Sequence, residues 1–136
     1  MTRWACGARR PGSGHRLVLL CAGLLALAGC DSDPAGPGTL LVRLSAPDLG
    51  AAVLEVDGTG VRGFAGRGDT QVYFAPVPGR SNVYRVIAVD PIGGEIGLDV
   101  EVDDVGMEGP VVTVVQAARN DNTTASVRNV AVSVER

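Results

Sequence analysis

A chain of 136 residues with three cysteines, one histidine and 4% aromatic residues has room for one modest domain and little of the inventory that catalysis draws on. Its net charge of −3 conceals a division. The first sixteen residues hold four arginines and no acid, whereas all fifteen acids lie at or after Asp31, where eight arginines leave that part near −7. An acidic body repels phosphate backbones and anionic headgroups, which argues against nucleic acid as a partner and leaves any membrane attachment to something other than charge.

Arg3, Arg9, Arg10 and Arg16 make the start basic, and Leu17 to Ala28 is an uncharged apolar run of twelve residues. Small residues Ala28 and Gly29 follow, then Cys30. A positive end, an apolar helix and a small-residue cleavage site are the layout of a secretory signal. Twelve apolar residues fall short of the ~20 that a spanning helix needs. A buried core helix should carry polar residues along one face, and none occur between Leu17 and Ala28. Arg9-Arg10 is followed by Pro11-Gly12, which does not suit twin-arginine export, so the pair reads as ordinary positive charge.

The tetrad Leu27-Ala28-Gly29-Cys30 resembles the lipobox of bacterial lipoprotein precursors, a likeness that covers residues 1–30. Leu27 stands at the apolar position, and Ala28 and Gly29 stand at the small ones. The resemblance implies that the Cys30 thiol takes a diacylglycerol (palmitate-type chains) before cleavage and that its freed amine is acylated. It also implies a cell-envelope location, inner or outer membrane, with the membrane as a partner through the acyl chains. Two or more chains hold a protein stably where one holds it marginally.

Removal of residues 1–29 takes Cys6 and Cys21 with it and leaves 107 residues with no disulfide. Residues 30–38 form the lipidated cysteine and a tether whose Pro34 and Pro37 stiffen it; eight extended residues at ~3 Å each would hold the domain ~25 Å off a bilayer. Residues 39–136 are short runs rich in Val, Leu and Ile. In Thr39–Ser45, Leu40, Val42 and Leu44 share a face; in Ala51–Asp57, Ala52, Leu54 and Val56 do so. Gln71–Val77 and Asn82–Asp90 are apolar on both faces, and Pro76 marks the former as an edge or an early ending. Glu95–Asp103 alternates Ile96, Leu98, Val100 and Val102 against Asp99, Glu101 and Asp103. Pro110–Ala117 and Ser126–Glu135 complete seven strands. Ala46–Gly50 and Gln116–Asn120 have room for one helical turn each. Turn residues every ~8–12 positions predict an all-β, antiparallel β-sandwich after the signal helix. Gly38-Thr39-Leu40, Ala52-Val53-Leu54-Glu55-Val56 and Ile92-Gly93-Gly94-Glu95-Ile96 resemble small envelope lipoproteins, and the last is similar to cohesin-like sandwiches. That resemblance implies an immunoglobulin-like or cohesin-like arrangement and carries no binding residues.

Beyond Cys30 there is no His, Lys, Trp or Cys, so Ser32, Ser45, Ser81, Ser126 and Ser133 have no base to take their proton, and zinc has no soft ligand. No catalytic or cofactor residue is expected. Gly58-Thr59-Gly60-Val61-Arg62-Gly63 fits the dinucleotide pattern in letters, but glycine-broken sequence follows where that pattern needs a helix. Arg67-Gly68-Asp69 spells an integrin-read tripeptide, and Asn122-Thr123-Thr124 a glycosylation sequon; a loop explains both. Asp103, Asp104 and Glu108, with Asp99 and Glu101 beside them, are the candidates for a Ca²⁺ site, although their order is not that of an EF-hand. The sequence therefore points to a lipid-anchored envelope protein with a non-catalytic sandwich, used structurally or to bind an envelope protein. The alternative is a calcium- or glycan-binding module, against which the scarcity of aromatic platforms weighs.

Overall fold

The computed structural model describes residues 35–136. The expected signal helix, the lipobox and Cys30 lie outside the described residues. Nine strands form two antiparallel sheets. They are β1 (Gly38–Ser45), β2 (Leu49–Asp57), β3 (Val61–Gly66), β4 (Gln71–Pro76), β5 (Val83–Val89), β6 (Glu95–Val102), β7 (Val111–Arg119), β8 (Thr124–Ala125) and β9 (Ala131–Glu135). One sheet has the order β3-β6-β1-β9 and the other β4-β5-β2-β7-β8. The architecture is the expected β-sandwich, with nine strands rather than seven.

The core lies between the sheets, and the alternating runs build it. Leu40, Val42 and Leu44 of β1 lie opposite Val100, Leu98 and Ile96 of β6, and all six are at most 2% exposed. From the other sheet come Leu49, Ala52, Leu54 and Val56 of β2 with Val86 and Ala88 of β5. Period two sends these residues to one face and the arginines and acids between them to the other. Burying each larger aliphatic side chain stabilises the fold by roughly 1.5–3 kcal/mol.

Two departures from the expected strands have physical causes. β3 was not expected, because Gly58, Gly60, Gly63, Gly66 and Gly68 crowd it and break its alternation. It forms because β6 supplies a ladder and because Phe64 lies 5.0 Å from the Phe74 ring and 5.5 Å from Tyr84. Context overrides propensity here. At Gly66 a Cβ would sit 1.8 Å from the Thr70 carbonyl oxygen, so the turn that carries the chain from β3 to β4 in the other sheet needs glycine at that point. The expected single strand Ser126–Glu135 is divided between β8's exit, a 3₁₀ turn at Val127–Asn129 and β9. Its apolar residues Val127 and Val130 are three apart, and that one-residue break in period two is where the chain passes from one sheet to the other. Neither candidate helical turn exists: Ala46–Gly50 is a tight turn into β2, and Gln116–Arg119 continues β7. β4 is an edge strand that stops at Pro76, as the proline requires.

The register makes a sharp prediction. Val100 is 0% exposed, whereas its neighbour Glu101 points outward. Val100→Asp, which buries an unpaired charge, is expected to cost more than about 4 kcal/mol and to abolish folding. Glu101→Lys should stay within roughly 0.5 kcal/mol of wild type. Thermal melts followed by circular dichroism, with soluble yield, check the pair.

Candidate functional site

The acidic stretch after β6 is placed residue by residue. Asp103 forms an ion pair with Arg62 Nε. Asp104 turns inward on its own loop, where Oδ1 accepts hydrogen bonds from the Gly36 amide at 2.7 Å and the Gly106 amide at 2.8 Å. Those two amides hold its carboxyl below the usual carboxylate range. Glu108 is exposed further along the same loop. On the adjoining strand, Asp99 Oδ1 accepts from Arg67 Nε at 2.6 Å, and Glu101 faces solvent beside Gly63. The expected metal candidates therefore do not converge, and among the described residues no group of three or more acidic, His or Cys side chains is gathered to hold an ion.

The other sequence motifs resolve into local structure. Gly58–Gly60 is a turn with Gly60 at φ +79°, and Val61–Gly63 continues as strand, with a register shift against β6. No helix opens there to receive a phosphate. Arg67, Gly68 and Asp69 form the tip of the turn between β3 and β4, closed by the Thr70 amide on the Arg67 carbonyl at 3.1 Å. Because the Arg67 guanidinium is held on Asp99, only Asp69 of the three projects without a partner among the described residues. Asn122, at φ +62°, is the left-handed residue of the β7–β8 turn, and Asp121 Oδ1 accepts from the Thr123 hydroxyl and amide.

A better-built cluster lies at the end of the sandwich where β2 begins and β5 stops. Asp90 Oδ1 accepts from the amides of Ile92 (2.9 Å) and Gly93 (3.0 Å), and its Oδ2 meets the hydroxyl of Thr70, a buried polar residue. Asn120 donates from Nδ2 to the Ile92 carbonyl, and its own amide bonds the Asp48 carbonyl. Four loops are stitched together this way. The sequence offered only a Pro91–Gly94 turn here; an Asp just before Pro-x-Gly, able to cap the following amides, was the legible sign. The Gly93 and Ile92 amides hold the Asp90 carboxyl below its ordinary value, partly offset by burial.

The outer face of the five-stranded sheet carries an apolar groove of about 370 Å³, whose walls include Val53, Ile87, Val115 and Val127. The double-sided apolar character of Asn82–Asp90 signalled half of it. Its polar side chains are Gln116 and Thr124. Arg43, Arg62, Arg67, Arg80 and Arg85 are each engaged with a carboxylate. Compared with known proteins, the chain matches no family model, no curated protein and no solved structure.

Acid should loosen both ends of the sandwich, because Asp104 lies at the end opposite Asp90 and Asp121. Asp90, Asp104 and Asp121 all have folded values depressed below the unfolded one. Their contribution is complete above the unfolded value of about 4 and is lost as pH falls through the lower folded values. The melting temperature is expected to hold between about pH 7 and 5 and to fall below about 4, with a shallower fall in Asp90→Asn. At neutral pH, Asp90→Ala should cost roughly 1–2 kcal/mol through its lost hydrogen bonds. Melts across that pH range read both effects.

Proposed function

We propose that this chain is a lipid-anchored cell-envelope protein whose β-sandwich binds or braces other envelope protein rather than catalysing a reaction. The observation that carries the reading is the ordered run of basic residues, twelve apolar residues and Leu27-Ala28-Gly29-Cys30 ahead of an acidic, lysine- and histidine-free body. The body's arginines support it, because five of the eight are held on carboxylates of the same domain. Its apolar groove supplies a surface suited to a protein partner.

The junction fits a close tether. Gly36 is already bonded to Asp104 and, through its carbonyl, to the Val105 amide, so the six steps from Cys30 to Gly36 reach about 20 Å at full stretch. That is shorter than the ~25 Å expected for a fully free run to Gly38. The sandwich end holding the Asp103–Pro110 loop and the Gly58–Gly60 turn then lies nearest the bilayer. The Asp90 cluster and the Arg67–Asp69 tip lie farthest.

Metabolic labelling with an alkyne fatty acid tests the reading. Wild type is expected to incorporate label, and its mass should correspond to residues 30–136 plus acyl chains; Cys30→Ser should lose both. A native product that keeps Met1, or carries no acyl mass, overturns it.

A further inference from the structure

The two sides of the sandwich are finished differently. On one side a tight turn at Gly66–Thr70 carries the chain from β3 in one sheet to β4 in the other, and Phe64, Phe74 and Tyr84 fill the corner, with the Tyr84 hydroxyl donating to the Val61 carbonyl. On the other side lie β9 and β7. β8 pairs only with Ala117 and Ala118, so among the described residues no strand covers the β7 edge from Val111 to Gln116.

Sheet edges are normally blunted by charge, proline, bulges or brevity. β9 is five residues long and carries Glu135, which pairs with Arg43. β4 ends in Pro76, and β3 is broken by glycines and a register shift. Over Val111-Val112-Thr113-Val114-Val115 β7 carries no charge and no proline, its one register shift falls at the last of these residues, and no charged residue lies between Glu108 and Arg119. Val111 is 64% exposed and Val115 39%.

We propose that the β7 edge pairs antiparallel with the same edge of a second copy, about a two-fold axis through Thr113, joining two five-stranded sheets into one. The choice of occupant comes from the segment itself. Val-Val-Thr-Val-Val reads the same in both directions, so an isologous two-fold contact sets Val111 against Val115, Val112 against Val114, and Thr113 against its own copy. Directly opposed residues in an antiparallel pair share a face. Val112 and Val114, packed toward the core, therefore meet each other, and the outward Val111, Thr113 and Val115 meet each other as well. A register centred between residues would set core-facing side chains against outward ones. A register centred on Val112 or Val114 would bring Pro110 or Gln116 into the ladder.

The limits of the edge match this pairing. Pro110, which has no amide to give, stands at one end, and the register shift near Val115–Gln116 stands at the other. No like charges oppose each other anywhere along the five residues. Val132 and Val134 of β9, 37% and 41% exposed although they share the core face with Leu44 and Val42, lie on the same open side. The contact does not depend on Cys30 acylation.

Thr113→Cys in the full chain provides the test, because the two copies of residue 113 meet at the axis, within the reach of a disulfide or a short bis-thiol reagent. Oxidation in the membrane fraction should move most of this variant to doubled mass on non-reducing gels. Thr123→Cys, exposed on the β7–β8 turn, should stay at the parent's level. Cross-linking of Thr113→Cys no greater than that of Thr123→Cys overturns the proposal. Thr113→Lys sets two like charges at the axis on an outward position and should halve the mass by detergent-corrected light scattering while leaving the circular dichroism spectrum unchanged. A folded Thr113→Lys with wild-type mass, or a wild type that is monomeric throughout, also overturns it. Should Thr113→Lys fail to fold, the cysteine pair decides alone.

Discussion

Everything in this sandwich rests on β1 lying against β6 while β2 faces them from the other layer. Leu40, Val42 and Leu44 meet Val100, Leu98 and Ile96 across the ladder, and Leu54 and Val56 close over them. The core is aliphatic almost throughout, because the aromatics stand at one corner rather than at the centre. Branched side chains have few rotamers to lose on a pleated surface, so a core of this kind can offset the cost of ordering the chain without large rings. Its weakness is that such cores hold by number. A single polar insertion on the inner face meets mostly aliphatic neighbours that can offer it no hydrogen bond.

The charged residues follow from the same alternation. Period two that turns valines and leucines inward turns Arg43, Glu55, Asp99 and Glu101 outward. Arginines then reach the carboxylates on neighbouring strands, as in Arg43–Glu95 at 2.7 Å and Arg80–Glu55 at 2.5 Å. Exposed pairs of this kind contribute little stability each. Their larger effect is to occupy carboxylates that would otherwise be available to a cation. Asp104 is engaged differently, since two backbone amides of its own domain donate to its Oδ1.

The strands that could be read from sequence were those whose alternation is local. β1, β2 and β6 declare their inner faces residue by residue, and the structure places them so. β3 could not be read because its reason for being extended lies elsewhere in the chain, in the β6 ladder and in two rings supplied by β4 and β5. The division of Ser126–Glu135 was visible as a lapse in spacing at Val127–Val130, but a lapse does not announce which sheet comes next. The Asp90 cluster was hidden for a similar reason: Thr70, Asp90 and Asn120 are far apart in sequence and meet only once the loops close. The acidic candidates were legible as a charge pattern, whereas the arginines and amides that engage them were not.

β1 has a further, mechanical meaning. It is the strand through which any pull arriving at Gly36 enters the domain, and it lies inside its sheet, with eight register pairs to β6 and five to β9. Interstrand hydrogen bonds run perpendicular to the strands, so tension along β1 loads them side by side in shear instead of unzipping them one after another. Drag on the domain would therefore be resisted by both ladders at once. The same molecule pulled from β9, at a sheet edge with one neighbour, should give way at lower force.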